Sequence, residues 1–253
     1  MDVAGSVSGP IQGAADGAIA HPRLSLLGGF RIGDTPNPIG LPLPAQRLIA
    51  FLAIHGGQPS RDVLAESLWP GRSGDLARLN LRQAAYKERR ASHQLIRATR
   101  AGLWLDPAVT VDLHQVGARL RGLLAHQPHG IGELEESDLL HDLLPSWDDD
   151  WLEAERESFR ELRLHGLEML SERWLQHGRW ARAVAAALSV TAVDPLRESA
   201  HALLIRAHLG QRNHAHAFRI LDSYRDRLRR ELGAEPSREL TDLLEPPWYL
   251  GRR

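Results

Sequence analysis

The chain has 253 residues, 43% of them apolar, and no cysteine. This length suits two ordinary domains, and the lack of thiols excludes disulfides, thiolate metal sites and cysteine nucleophiles. No apolar run approaches the roughly 18 residues of a membrane span, and we expect a cytoplasmic protein. The net charge of -1 hides an asymmetry, because residues 21–105 carry 12 Lys and Arg against 5 Asp and Glu, and residues 106–253 carry 19 against 25. A basic first half is expected if only that half meets a polyanion.

The first part of the chain is predicted to form a tail, a small sheet and two helices. Residues 1–21 lack the basic start and dense apolar stretch of a signal peptide and are predicted to be a disordered tail. RLSLLGGFRIG, followed by the turn-rich TPNPIGLP, predicts a small antiparallel sheet. PAQRLIAFLAIH then predicts a helix that stops at two glycines. Ser60 is the expected N-cap of a second helix, whose inward side chains are predicted to be Val63, Leu64, Ser67 and Leu68.

Residues 75–93, DLARLNLRQAAYKERRASH, have the period of an amphipathic helix. Its inner side carries small and apolar side chains, namely Ala77, Leu81, Ala84, Ala85 and Ala91. The opposite side presents a row that could read DNA, formed by Leu79, Gln83, Tyr86 and Arg90 and flanked by Arg82 and Lys87. Arg and Lys neutralise phosphates or bind guanine, Gln pairs with adenine, and Leu79 could meet a thymine methyl. The pattern favours a recognition helix, with an ordinary solvated helix face as the alternative.

Two short strand candidates follow this helix, at residues 95–98 and 103–105, and the turn TRAG separates them. The order of sheet, three helices and a hairpin with a basic tip predicts a winged helix over residues 22–112. In that geometry the third helix enters the major groove and the hairpin approaches the adjacent backbone or minor groove. The predicted DNA-binding residues are therefore Arg78, Leu79, Arg82, Gln83, Tyr86, Lys87, Arg90, Arg97 and Arg100.

Residues 113–253 are predicted to be helical, and helix-breaking signals cut the stretch after residue 150 into four helices. Aligning LQHGRWARA with LGQRNHAHA gives an offset of 34 residues, the period of tetratricopeptide helical hairpins. Stacked hairpins offer a concave surface for binding proteins, and a plain helical bundle without a ligand is the alternative. The predicted fold class is mainly α with a small β component, an N-terminal winged helix-turn-helix followed by a tetratricopeptide-like α-helical hairpin domain.

The sequence offers little support for an enzyme, a metal site or a cofactor. It has no nucleophile elbow, no HExxH motif, no dinucleotide fingerprint and no glycine-rich phosphate loop with Lys. His214 and His216 are two residues apart on a helix and point in different directions, so they are poor co-ligands. The acidic WDDDW favours the positive end of a helix dipole more than a pair of catalytic carboxylates. We therefore predict neither catalysis nor a bound metal.

Several segments together resemble the Streptomyces antibiotic regulatory protein family. These are LWPGRSGDLARLNLRQAAYKERRA, VDL, WDDDWLEAER, DPLRES and RRELGAEPS, in this order and spacing. The resemblance covers about residues 23–245 and is most specific in the second half. It implies a winged helix joined to a bacterial transcriptional activation domain over residues 113–253.

The resemblance also implies a function and its partners. A member of this family is a sequence-specific activator that binds direct repeats of double-stranded DNA near promoters, usually as a homodimer, and contacts RNA polymerase. One departure is Glu88, where the family's recognition helix commonly has Leu; an inner-face carboxylate is costly unless it pairs with an Arg or lies near the helix end in water. Glu88 keeps an alternative open, an adaptor that does not bind DNA and acts through its helical-repeat surface.

Overall fold

The computed structural model describes residues 22–33, 40–91, 95–125 and 136–244. It confirms the predicted fold class, mainly helical with a few short strands. The predicted tail, residues 1–21, lies outside the described residues, as does most of the TPNPIGLP turn. The described chain begins with two antiparallel strands, β1 (Arg23–Ser25) and β2 (Arg31–Ile32).

The small sheet also has a strand that was not predicted, β5 (Thr110–Val111), which pairs in parallel with β1. The sheet is therefore mixed rather than antiparallel, with the order β2-β1-β5. Asp112 stabilises this closure, because its carboxylate accepts hydrogen bonds from the backbone N–H groups of Leu26 at 2.9 Å and Leu27 at 3.2 Å. The first strand of residues 22–112 is thus joined to the last.

The helix-turn-helix lies between these strands and comprises α1 (Leu43–His55), α2 (Arg61–Leu68) and α3 (Gly74–Arg90). The Ser60 hydroxyl accepts a hydrogen bond from the backbone N–H of Val63, which confirms Ser60 as the N-cap of α2. The prediction that Val63 faces inward is wrong: its side chain is exposed, and Ala65 is buried instead. The three helices share an apolar core that contains Leu48, Leu52, Leu64, Leu68 and Leu81.

The predicted hairpin is present as β3 (Ile96–Ala98) and β4 (Leu103–Leu105), which pair antiparallel. It packs against the loop that precedes α2. A Cβ at Gly102 would lie 2.5 Å from the carbonyl oxygen of Pro59, so only glycine allows this approach. This hairpin is called the wing below.

The second half is formed by α4 (Asp112–Leu124), a 3₁₀ helix (Glu136–Leu139), α5 (Asp150–Gln176), α6 (Trp180–Val193), α7 (Glu198–Gly210), α8 (His214–Leu232) and α9 (Arg238–Asp242). The 34-residue period is visible at the two hairpin turns. The left-handed turn residue is Gly178 in the first, with φ 67°, and Arg212 in the second, with φ 59°. The four predicted helices correspond to α5 to α8, which form the two hairpins, and the short α9 was not predicted.

Ion pairs join the two hairpins between α5 and α7. Arg197 donates hydrogen bonds to Glu161 at 3.0 Å and to Glu168 at 3.1 Å, and Arg206 binds both carboxylate oxygens of Glu172. The acidic and basic side chains on this surface thus neutralise one another. The DPLRES segment, which includes Arg197, has a structural role at this joint.

The two halves of the chain share one apolar core and meet where α1 lies beside the start of α5. Arg47 of α1 forms an ion pair with Asp149, which precedes α5. The ring of Trp151 packs against Phe51, with a centroid distance of 5.1 Å, and against His55 at 5.9 Å. The acidic box WDDDW therefore contributes to the contact between the halves as well as to the start of α5. None of the helices in the described ranges is long and apolar enough to cross a membrane.

Candidate nucleic-acid interface

The inner side of α3 holds the helix in place. Ala77, Leu81 and Ala84 are buried, and they pack on α1 and α2 within the core of the first half. Ala85 is half-buried. The small side chains on this side let α3 lie close to its neighbours, so its outer side faces away from the protein.

The residues of the predicted outer row are exposed. The side chains of Leu79 and Tyr86 are unusual for an exposed helix face, with 40% and 56% of their surface accessible. Gln83 and Arg90 lie on the same side, and Arg82 and Lys87 flank them. The structure places this set where a duplex could reach it; its role in binding stays a prediction.

A groove of about 690 Å³ lies between the start of α2, α3 and the wing, and it brings three predicted residues together. Arg78 and Arg82 from α3 and Arg100 from the tip of the wing line it, together with the carboxylates of Asp62 and Asp75. Arg61, which was not among the predicted residues, also lines the groove, and its guanidinium donates a hydrogen bond to the carbonyl oxygen of Thr99 at 3.0 Å. The sequence places Arg61 directly after the N-cap Ser60, but only the tertiary structure brings it close to the wing.

Two predicted residues already have carboxylate partners. Arg78 donates a hydrogen bond to Asp62 of α2 at 2.7 Å, and this bond, with the charge of Asp62, raises the pKa of Arg78. Arg97 donates to Asp106 at 2.6 Å. The pKa of Asp106 is lowered, first by the hydrogen bond from the backbone N–H of Ala108 and then by Arg97. Arg78 therefore braces α2 against α3, and Arg97 braces the base of the wing.

Glu88 lies on the inner side of α3 with only 2% of its surface exposed. Its Oε1 accepts a hydrogen bond from the backbone N–H of Leu95 at 2.7 Å. From the sequence, such a carboxylate is expected to need an Arg or a position near the helix end in water. Glu88 lies in the last turns of α3 but is shielded from water, and this hydrogen bond comes from a backbone N–H group. Its carboxylate is directed toward the base of the wing.

His216, one of the two histidines considered above as metal ligands, has another histidine as its neighbour. The ring of His216 lies against His208 on α7, with centroids 4.2 Å apart. Burial, and then the neighbouring His216, lower the pKa of His208. Within the part of the chain that the structure describes, no group of three or more His, Asp or Glu side chains is placed to hold a metal ion.

Three comparisons with known proteins bear on this architecture. Residues 137–245 match the family model of the bacterial transcriptional activator domain. The regulatory protein AfsR of Streptomyces coelicolor is 27% identical over 258 residues, an alignment that covers 92% of this chain. A solved structure of Mycobacterium tuberculosis EmbR, in complex with a low affinity phosphopeptide, has the same fold with a TM-score of 0.72 at 19% identity and covers 92% of this chain.

Residues 137–245 are thus similar to the bacterial transcriptional activator domain, and the chain as a whole is similar to AfsR. By its description, the family whose model matches these residues is one of transcriptional activator domains. The chain spans 24% of the length of AfsR and 66% of the EmbR chain. The ligands and partners of these longer proteins are therefore described only for those proteins.

Proposed function

We propose that this protein belongs to the Streptomyces antibiotic regulatory protein family and is a sequence-specific DNA-binding transcriptional activator that works in the cytoplasm. It binds direct repeats near promoters as a homodimer, and its helical half contacts RNA polymerase. The winged helix spans residues 22–112, and the activation domain spans residues 113–253. In this proposal α3 lies in the major groove and the wing contacts the flanking backbone.

The observation that carries the proposal is the joint surface of α3 and the wing. An exposed row containing Leu79, Gln83 and Tyr86 runs beside a groove that Arg82 and Arg100 line. This combination provides groups for base edges and groups for phosphates on one side of the molecule. The excess of basic residues in the same half of the chain supports an electrostatic attraction to DNA.

The alternative is an adaptor that acts only through protein contacts. Its main argument is Glu88, because an inner-face carboxylate is costly on a recognition helix. Glu88 is buried and hydrogen-bonded to the base of the wing, so its carboxylate is shielded from a duplex on the outer face. This geometry favours DNA binding over the adaptor.

The decisive experiment measures the binding of the full chain to a pool of duplex DNA over a salt series. About six phosphate contacts would lower the affinity by roughly 10³-fold between about 50 and 200 mM salt. We expect a linear fall of the logarithm of affinity with the logarithm of salt concentration. Absence of binding even at the lowest salt would reject the proposal and leave the adaptor.

Single substitutions then separate base contacts from phosphate contacts. We expect Gln83→Ala to change the sequences selected from a random pool, because it removes a side chain that reads a base edge. Arg100→Ala should weaken binding to all sequences about equally and reduce the salt slope by about 1. Arg173→Ala, at an exposed Arg on α5, is the charge-matched control and should change neither property. Identical selection profiles for Gln83→Ala and Arg100→Ala would contradict the assignment of helix and wing.

The homodimer and the contact with RNA polymerase are tested separately. Sedimentation of the full chain with and without a direct-repeat duplex measures whether two copies bind together. Co-purification with RNA polymerase on promoter DNA tests whether the helical half contacts the polymerase. A monomer on every duplex would remove the homodimer from the proposal without affecting DNA binding.

A further inference from the structure

The connection between α3 and the wing includes one buried carboxylate. Glu88 is almost fully buried, and Leu95, whose N–H it accepts at 2.7 Å, is fully buried directly before β3. A carboxylate in such a place is costly unless donors satisfy it, and a hydrogen bond to a charged acceptor is stronger than one between neutral groups. The contact therefore has a directional preference that an apolar side chain would lack.

The other backbone group of Leu95 holds the far strand of the wing. Its carbonyl oxygen accepts a hydrogen bond from the backbone N–H of Asp106 at 2.7 Å, just after β4. Both strands of the wing are thus tied at their base to one residue, and Glu88 ties that residue to α3. The tip is held separately, by the hydrogen bond from Arg61 to Thr99.

We propose that Glu88 is a positioning residue that fixes the wing relative to α3, so that Arg100 and the outer row of α3 meet the same duplex together. This inference rests on the proposed DNA binding. Glu88 does not itself contact DNA, because it lies on the inner side of the helix. It acts through the backbone of Leu95.

The inference predicts that Glu88 and Arg100 are energetically coupled in DNA binding. Glu88→Leu has similar size but cannot accept the N–H of Leu95, so the wing loses this tie at its base. Glu88→Gln keeps an oxygen acceptor and serves as the conservative rescue. Where Glu88→Leu does not fold, Glu88→Ala provides the same comparison, and urea unfolding of each variant shows that the protein is folded under the binding conditions.

The experiment measures the affinity and salt slope of full-length variants in a double-mutant cycle. We expect Glu88→Leu to reduce the salt slope by about 1, as Arg100→Ala does, and we expect Arg100→Ala to add little in the Glu88→Leu background. Glu88→Gln should behave as the wild type in both measurements. Gln83→Ala should cost the same factor in all backgrounds, because α3 itself stays in place.

The outcomes separate this inference from the proposed function. If the wild type binds with a steep salt dependence, but Arg100→Ala costs the same factor whether Glu88 is intact or replaced, Glu88 does not position the wing. If Glu88→Leu is coupled to Gln83→Ala as strongly as to Arg100→Ala, its role is a general structural one, and the inference is also overturned. If the wild type does not bind DNA at any salt concentration, the proposed function and this inference both fail.

Discussion

Gly210 at the end of α7 provides a test of how the two helical hairpins pack. A Cβ at this position would lie 2.7 Å from Cε3 and Cζ3 of Trp180 and 2.9 Å from Cδ2, distances that side-chain carbons essentially never adopt. The atoms belong to a rigid ring, so the ring or the helix must move. Overpacking of this kind costs about 1–3 kcal/mol. The better helix propensity of Ala returns up to about 1 kcal/mol, less at a helix end.

We therefore expect Gly210→Ala to lower the free energy of unfolding by about 1–2 kcal/mol, measured by urea unfolding. The thermal midpoint should fall by about 2–8 °C for a chain of this size. Trp180→Ala supplies the matched background, because without the ring the same substitution should be neutral or slightly stabilising. An equal loss in the two backgrounds would refute the explanation by contact with the ring.

Three more predictions concern the second half. Arg212→Gly should stabilise the protein by about 0.5–1 kcal/mol in urea unfolding, because φ is 59° there, whereas Gln211→Gly, at φ -79°, should destabilise it. Burial lowers the pKa of His201 and His208, so these histidines take up protons in the unfolded state at a higher pH than in the folded state. Their contribution to the free energy of unfolding should be fully present above about pH 6.5 and fall below it. A urea midpoint that is flat down to about pH 5 would contradict this. Burial raises the pKa of Tyr224 to about 12. The unfolded state loses this proton near pH 10, so the contribution of Tyr224 to stability should be lost between about pH 10 and 12. Phenolate absorbance of Tyr224 that appears near pH 10 in the folded protein would contradict this prediction.

Features that depend on neighbours along the chain could be predicted from the sequence. The N-cap at Ser60, the two strands of the wing and the outer row of α3 follow from local residue patterns, which repeat over a few positions. The 34-residue period likewise predicts the spacing of the two hairpin turns. Helical periodicity and turn chemistry are local properties, so they are visible in the order of the residues alone.

The meeting of distant segments is visible only in the folded chain. There β5 pairs with β1, Val63 faces outward and Arg61 lies beside the wing. Arg78 and Arg97, which the sequence offered only as contacts for DNA, have carboxylate partners. The sequence cannot show these pairings, because a charged side chain has the same local pattern whether its partner is a phosphate, a carboxylate or water. Glu88 illustrates this limit, because its environment includes a backbone N–H group that only folding places 2.7 Å from its carboxylate.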